Sequence, residues 1–293
     1  MIELKGVVPA VVTPFTAQGE FNESAFREII EYNIKAGVHG FWIGGGTGES
    51  VLLDDEESFR IASAAAEQAA GRITNIMHIG APTTRRAVKM AERAAGVGVD
   101  ALCCVPPFFY AASDDEIIEH YRLVASATDL PLLLYNLPQS TGVNISPALA
   151  AKIRDKAPRV VGLKHSGPTV EHVREFADLG FACFIGNSYL MLPGLTIGAV
   201  GCIDGPLNVV PELWVEIWRA YQAGDLQGAI AAQHRATEVA QAILEFGFLG
   251  ALKAAVKERL KIDCGTPRAP QLPLDDAQRS AMVERLSALG VMP

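Results

Sequence analysis

Short apolar runs alternate with longer amphipathic segments over the first two-thirds of the chain. The runs at residues 6–12, 40–44, 73–79, 101–105, 131–136, 160–164, 183–185 and 199–203 are rich in Val, Ile, Leu or Cys and bounded by Gly, Pro, Asn or Asp. Runs this short, apolar at consecutive positions, predict strands buried on both faces, as in a parallel sheet. Between them, residues 22–36, 54–70, 83–95, 113–127, 147–153 and 169–179 space their apolar side chains at helical intervals. Several open on Asn, Asp, Ser or Thr, which cap helix N-termini. After the eighth run the rhythm changes. Residues 211–223, 225–244, 248–260 and 275–289 predict successive helices with no strand between them, and the Pro-rich stretch 266–273 reads as a connector.

Alternating strands and helices leave two architectures, a closed barrel and an open doubly wound sheet. The open sheet would want a Gly-rich dinucleotide turn after its first strand, and here that strand runs into Thr13-Pro14-Phe15. Eight regular units favour an α/β fold of the (β/α)8 TIM-barrel type over residues 1–223, with 224–293 as a C-terminal helical extension. Barrels of roughly 250 residues form one domain, so the length of 293 residues is compatible with this division.

Composition narrows the partners. The net charge is −8 and no Lys/Arg-rich run is present, so nucleic acid is not an expected partner, while a local site for a small anion is still open. The apolar stretch 7–12 is broken by Pro9 and is too short for a signal peptide or a membrane span, so the expectation is a soluble, cytoplasmic protein with no membrane partner. The five Cys are odd in number and not spaced as a disulfide framework. Cys103 and Cys104 are adjacent and should face opposite sides of a strand, as buried reduced thiols.

In a barrel the active site lies at the C-terminal ends of the strands, so reactive residues there carry the argument. Lys164 closes the apolar run Val160-Val161-Gly162-Leu163-Lys164. An amine taken out of water has more of the free base that attacks a ketone, and the protonated imine so formed is an electron sink for aldol chemistry or loss of water. The plainer reading of such a Lys is one that reaches the rim or pairs with a carboxylate. Tyr135, in Leu132-Leu133-Leu134-Tyr135-Asn136, precedes Lys164 by about one βα repeat, so the two fall at equivalent places on adjacent strands. A phenol there can shuttle protons; a lone strand Tyr is otherwise a core residue bonded to backbone. The loop Gly44-Gly45-Gly46-Thr47-Gly48-Glu49-Ser50 can aim backbone N–H groups and the Thr47 hydroxyl at a carboxylate or phosphate, or be only a tight turn.

Other chemistries find little footing. The six His are scattered, without His-x-His or His-Glu-x-x-His, so no metal site is expected. No Gly-x-Ser-x-Gly elbow and no Gly-Lys-Ser/Thr phosphate loop occur. His165 should point away from Lys164 and serve a structural role or support the site from behind.

With these motifs together, the chain resembles the dihydrodipicolinate synthase and N-acetylneuraminate lyase family over nearly its whole length, through segments 6–15, 45–50, 106–109, 135–138, 162–164 and 198–208. The resemblance implies a barrel with a helical extension, a homotetramer of two tight dimers, and no cofactor beyond a covalent imine on Lys164. It implies Tyr135 as proton shuttle, and Thr47 with the amides around Gly46 as the holder of the carboxylate of pyruvate or another 2-keto acid. Gly186 and Ile203 match positions that line the pocket.

Departures from the family pattern shape the functional expectation. Dihydrodipicolinate synthases carry Thr-Thr where this chain has Gly46-Thr47, a relay Tyr where it has Phe109, and an Arg where it has Ser140. Adjacent Tyr110 is the candidate replacement for the relay Tyr. Sialic acid lyases carry an acidic pair where Ser188-Tyr189 stands, and a Ser at Gly205. The expectation is therefore a class I lyase, an aldolase or dehydratase of pyruvate or a 2-keto-3-deoxy acid, with Ser166, Asn187, Ser188, Asp204 and Asn208 as candidates to meet substrate hydroxyls. Dihydrodipicolinate synthase itself is the alternative. A 2-keto-acid-binding sensor that kept the fold and lost the chemistry, motivated by Gly46 and Phe109, is the reading outside enzymes.

Overall fold

The computed structural model describes residues 2–292. Eight strands, β1 (Gly6–Pro9), β2 (Gly40–Ile43), β3 (Thr74–His78), β4 (Ala101–Cys104), β5 (Leu132–Asn136), β6 (Val160–His165), β7 (Ala182–Ile185) and β8 (Gly201–Asp204), pair in parallel. β8 lies beside β1, and an Ala10–Trp42 bridge, with Val11 N–H donating to the Trp42 carbonyl at 3.0 Å, joins β1 to β2. The barrel is thereby nearly closed, a TIM barrel. Helices α1 (Glu23–Ala36), α2 (Asp55–Ala69), α3 (Thr84–Ala94), α4 (Asp114–Ser126), α5 (Pro138–Thr141), α6 (Pro147–Lys156), α7 (His172–Asp178), α8 (Met191–Thr196) and α9 (Pro211–Gln222) connect the strands and complete the ring. α10 (Leu226–Leu244), α11 (Leu249–Leu260) and α12 (Asp276–Ala288) follow as the added layer. Among the described residues no single helix is long and apolar enough to cross a membrane.

Strand side chains alternate between two cores. Val8, Trp42, Ile76, Cys103, Leu133, Tyr135, Phe184 and Ile203 fill the barrel interior. Val7, Phe41, Met77, Cys104, Leu134, Leu163 and Cys202 face the helices. The adjacent Cys pair is split between the two layers, as expected. All five thiols are free and buried, and burial pushes each above its ordinary range. Helix starts follow local chemistry: Asp54 with Glu57, Ser113 with Glu116 and Asp275 with Gln278 form reciprocal capping boxes.

Three details differ from the sequence expectation. β1 stops at Pro9, because the chain beyond it turns into the loop pinned by Thr13, whose hydroxyl donates to Gly48 O at 2.8 Å. α5 and α8 were not anticipated; one is a single Pro-initiated turn, and the other contains Pro193 and Gly194, poor helix formers that hide its periodicity. β6 carries a bulge: Leu132 pairs with Val160, but Leu133 pairs with Gly162, leaving Val161 as the extra residue.

The helical extension is tied to the barrel mouth by a buried ion pair. Lys253 on α11 meets Glu49 in the loop after β2 at 2.6 Å, with side chains only 1% and 0% exposed. Glu49 also accepts from the Arg268 backbone N–H at 2.7 Å, and the Lys253 amine lies 4.1 Å from the Phe15 ring centroid. Breaking such a pair on one side strands a buried charge. Lys253→Met is therefore expected to destabilise the protein by about 3–5 kcal/mol, and Lys253→Met combined with Glu49→Leu by clearly less. Urea denaturation of both variants checks this; equal losses would show that packing, not the charge, is what matters.

Candidate active site

Lys164 and Tyr135 are register partners on β6 and β5, both facing the barrel interior near its C-terminal end. Lys164 Nζ donates to Tyr135 Oη at 3.3 Å and lies 4.6 Å from the Tyr135 ring centroid and 5.5 Å from that of Trp42. Only 4% of Lys164 is exposed, so it neither reaches the rim nor spends its amine on a carboxylate. Behind this rung, the next pair faces outward. Asn136 Nδ2 donates to His165 Nδ1 at 3.1 Å, and His165 Nε2 meets the Thr169 carbonyl at 2.9 Å. Asn136 also bonds the backbone of Ile145 through both its oxygen and nitrogen. These outward contacts lock β5 to β6 at the level where the inward pair meets, which is the structural role expected of His165.

Gly186 follows β7 and abuts the Lys. A Cβ there would come within 3.0 Å of Lys164 Cε and 2.0 Å of Ser166 Oγ, so the absence of a side chain leaves room beside the amine. Ser166 makes only a long 3.5 Å contact to the Gly186 carbonyl. Ile203 is fully buried in the same interior layer as Tyr135 and Trp42. Thr47 is buried within the glycine loop, whereas Gly46 is exposed, and a Cβ on it would meet nothing within 4 Å.

A cavity of about 420 Å³ opens above the Tyr and is lined by Gly46, His78, Phe108, Tyr135 and Leu137, among others. A larger hollow of about 710 Å³ lies across the Glu49–Lys253 pair, beside Phe15 and Arg279. Its buried amine, Lys253, is already paired with Glu49, whereas the smaller cavity is lined by Tyr135. Within one chain Tyr110 stays out of that cavity. It is 79% exposed, stacked edge-on against Phe109 at 5.0 Å, and faces a separate surface hollow with Pro82 and His120. Of the other hydroxyl-binding candidates, Asp204 accepts from Ser188 N–H and Gly205 N–H, both at 2.8 Å. Asn208 is spent on the backbone of Val12, Ala10 and Gly205, and Asn187 caps Tyr189 N–H.

Two interior residues went unremarked in the sequence. Trp42 stacks edge-on against Tyr135 at 5.3 Å, its indole N–H buried beneath Gly45 without a partner. His78 closes β3, also edge-on to Tyr135, and its Nε2 is buried and unpartnered. The ring lies beside the Gly44 backbone. The signal available was position alone: His78 falls at a strand's C-terminal end, as Lys164 does.

The comparisons with known proteins agree with this geometry. The Dihydrodipicolinate synthetase family model matches residues 3–289, so the chain belongs to that family and is one of its lyases, enzymes that act on pyruvate through a Schiff-base lysine. An uncharacterized DapA-like lyase of Halobacterium salinarum is 35% identical, with 99% of this chain and 95% of that protein covered. The 4-hydroxy-tetrahydrodipicolinate synthase of Methanopyrus kandleri is 31% identical, covering 99% and 98%. The solved structure of YagE, an E. coli K12 prophage protein of the dihydrodipicolinic acid synthase family in complex with pyruvate, superimposes with a TM-score of 0.91 at 26% identity, covering 98% and 99%.

Burial, reinforced by the Lys164 amine, pushes His78 down to about 4. The unfolded chain therefore binds a proton on this residue between about pH 6.5 and 4 that the folded chain refuses, and stability falls as pH falls across that window. His120, likewise pushed down to about 4 by burial, adds a similar loss. His78→Phe is expected to lose about 2 kcal/mol less than the parent between pH 7 and 4.5. Urea melts at the two pH values test it, and identical losses in parent and variant would contradict it.

Proposed function

We propose that Lys164 forms the imine and that the reaction is aldol cleavage, aldol addition or dehydration at a 2-keto acid, either pyruvate or a 2-keto-3-deoxy acid. The observation that carries this is the Lys164 amine 3.3 Å from the Tyr135 hydroxyl, both buried at the C-terminal end of the barrel. The amine attacks the keto carbon, and Tyr135 passes a proton to the departing water as the carbinolamine collapses. Thr47 and the amides around Gly46 hold the carboxylate. Gly186, Ile203 and Ser166 shape the space around the new C=N bond.

From the iminium, two outcomes share one electron sink. Tyr135 can take the proton of the C4 hydroxyl, so that the C3–C4 bond breaks, an aldehyde leaves and its electrons enter the enamine. Alternatively a C3 proton departs, and the enamine expels the C4 hydroxyl as water. Both run on the residues named here, with the imine as the covalent intermediate and no further cofactor.

A homotetramer fits the exposed aromatic pair Phe109 and Tyr110, the latter entering the reading only as a group offered to a neighbouring copy. Residues 1–223 then act as the catalytic barrel and 224–293 as its brace, in a cytoplasmic enzyme.

Intact mass after incubation with pyruvate and borohydride should show a reduced adduct in the parent and none in Lys164→Ala. Tyr135→Phe should keep an adduct while turnover falls about 10²–10⁴-fold. An adduct retained in Lys164→Ala would assign the chemistry elsewhere, and no adduct in the parent would favour a binding protein without the reaction.

A further inference from the structure

The cavity beside Tyr135 carries information about the rest of the substrate. Six of its wall residues, Val51, Leu52, Val105, Phe108, Leu137 and Leu249, are apolar, and no Lys or Arg is among its lining residues. Its one charged group, Glu49, is committed to Lys253 and to the Arg268 backbone. The Thr141 hydroxyl donates to the Leu137 and Val143 carbonyls at 3.0 and 3.2 Å and has no hydrogen to spare for a ligand. A second carboxylate entering here would shed its water without meeting a cation. Ser50, Ser140 and Gln271 are the other polar side chains of the wall, and His78 Nε2 is buried there with no partner. Burial keeps the ring neutral, so it has one nitrogen that donates and one that accepts.

Resting on the imine reading above, we propose that this cavity receives an uncharged, mainly apolar group, the part of the substrate that leaves or arrives as the aldehyde, with His78 Nε2 as a hydrogen-bonding partner. The chain thus joins pyruvate to, or releases it from, an uncharged alkyl or aryl aldehyde. In the addition direction the enamine carbon of the Lys164–pyruvate imine bonds to the aldehyde carbon. The aldehyde oxygen takes the proton held by Tyr135 and becomes the C4 hydroxyl, and water then releases the 2-keto acid from Lys164.

The test is condensation kinetics of the full chain with pyruvate and aldehydes matched in size: butanal, succinic semialdehyde and erythrose. Butanal is expected to exceed the other two in kcat/KM by about 100-fold, the scale of an unpaired polar or charged group in an apolar site. A preference below about tenfold, a preference for either polar aldehyde, or no condensation of butanal overturns the proposal. Borohydride trapping of pyruvate in the same samples separates the two readings. Without an adduct the imine reading fails; with an adduct and a charged or polyol preference only the cavity assignment fails. As a gain-of-function arm, Ser140→Arg, which puts a cation into the wall, should raise kcat/KM for succinic semialdehyde about tenfold or more. For His78, the ratio of kcat/KM between the best hydroxybenzaldehyde isomer and benzaldehyde should fall about tenfold in His78→Phe, the loss of one hydrogen bond to a buried group. An unchanged ratio, in a variant that still traps pyruvate, overturns the role given to His78.

Discussion

The bulge at Val161 fixes where the reactive groups point. Val160 faces the helices and pairs with Leu132, which does the same. Had β6 continued with strict alternation, Leu163 would have turned inward opposite Tyr135, and Lys164 would have been buried among the helices. The extra residue shifts the register by one, so that Gly162 meets Leu133 and Lys164 meets Tyr135 inside the barrel. The cost of such an irregularity is an unpaired residue in the ladder, and Val161, at 38% exposure, is the residue of β6 that reaches water. Asn136 and His165 then hold the shifted register from the outer face through their side-chain bond.

A second constraint acts on the loop that faces the amine from β2. Gly44 to Gly48 have little side-chain mass to anchor them, and Gly44 has a positive φ of 64°. Their position is set from the ends, by the Thr13 hydroxyl on the Gly48 carbonyl and by Glu49 on Lys253. Glu49 itself holds φ 63°, a left-handed conformation that a non-glycine residue keeps only when its surroundings dictate it. Through Lys253 and Arg268, which flank the Phe15 ring at 4.1 and 4.2 Å, the C-terminal helices share in placing a loop that is remote from them in sequence.

The barrel was legible in the sequence because parallel strands buried on both faces leave short apolar runs, and the helices between them carry capping residues. Lys164 and Tyr135 were legible because a polar residue at the end of an apolar strand is costly without a use. What escaped is instructive. The one sign of the bulge in Val160-Val161-Gly162 is the glycine, which is unfavourable inside a strand and often marks a bulge, but it does not say which residue is the extra one. The Glu49–Lys253 pair joins residues with no local relation, and His78 looked like one of six scattered histidines until the fold put it on the same rim as the Lys. Tyr110 was expected as a stand-in for the relay Tyr that a neighbouring subunit donates in the family, and in the single chain the loop carries it outward, 79% exposed.

The two halves of the site answer to different pressures. The half around Lys164 is built from groups fixed by strand register. The half above Tyr135 is lined largely by side chains outside the strands, from loops, the turn at Ser50–Leu52, α5 and the start of α11. Ser140 and Leu249 can change without disturbing a strand, whereas Lys164, Tyr135 and Asn136 cannot. A barrel of this kind can therefore keep its strand-borne groups and change the cavity above them by altering residues outside the strands.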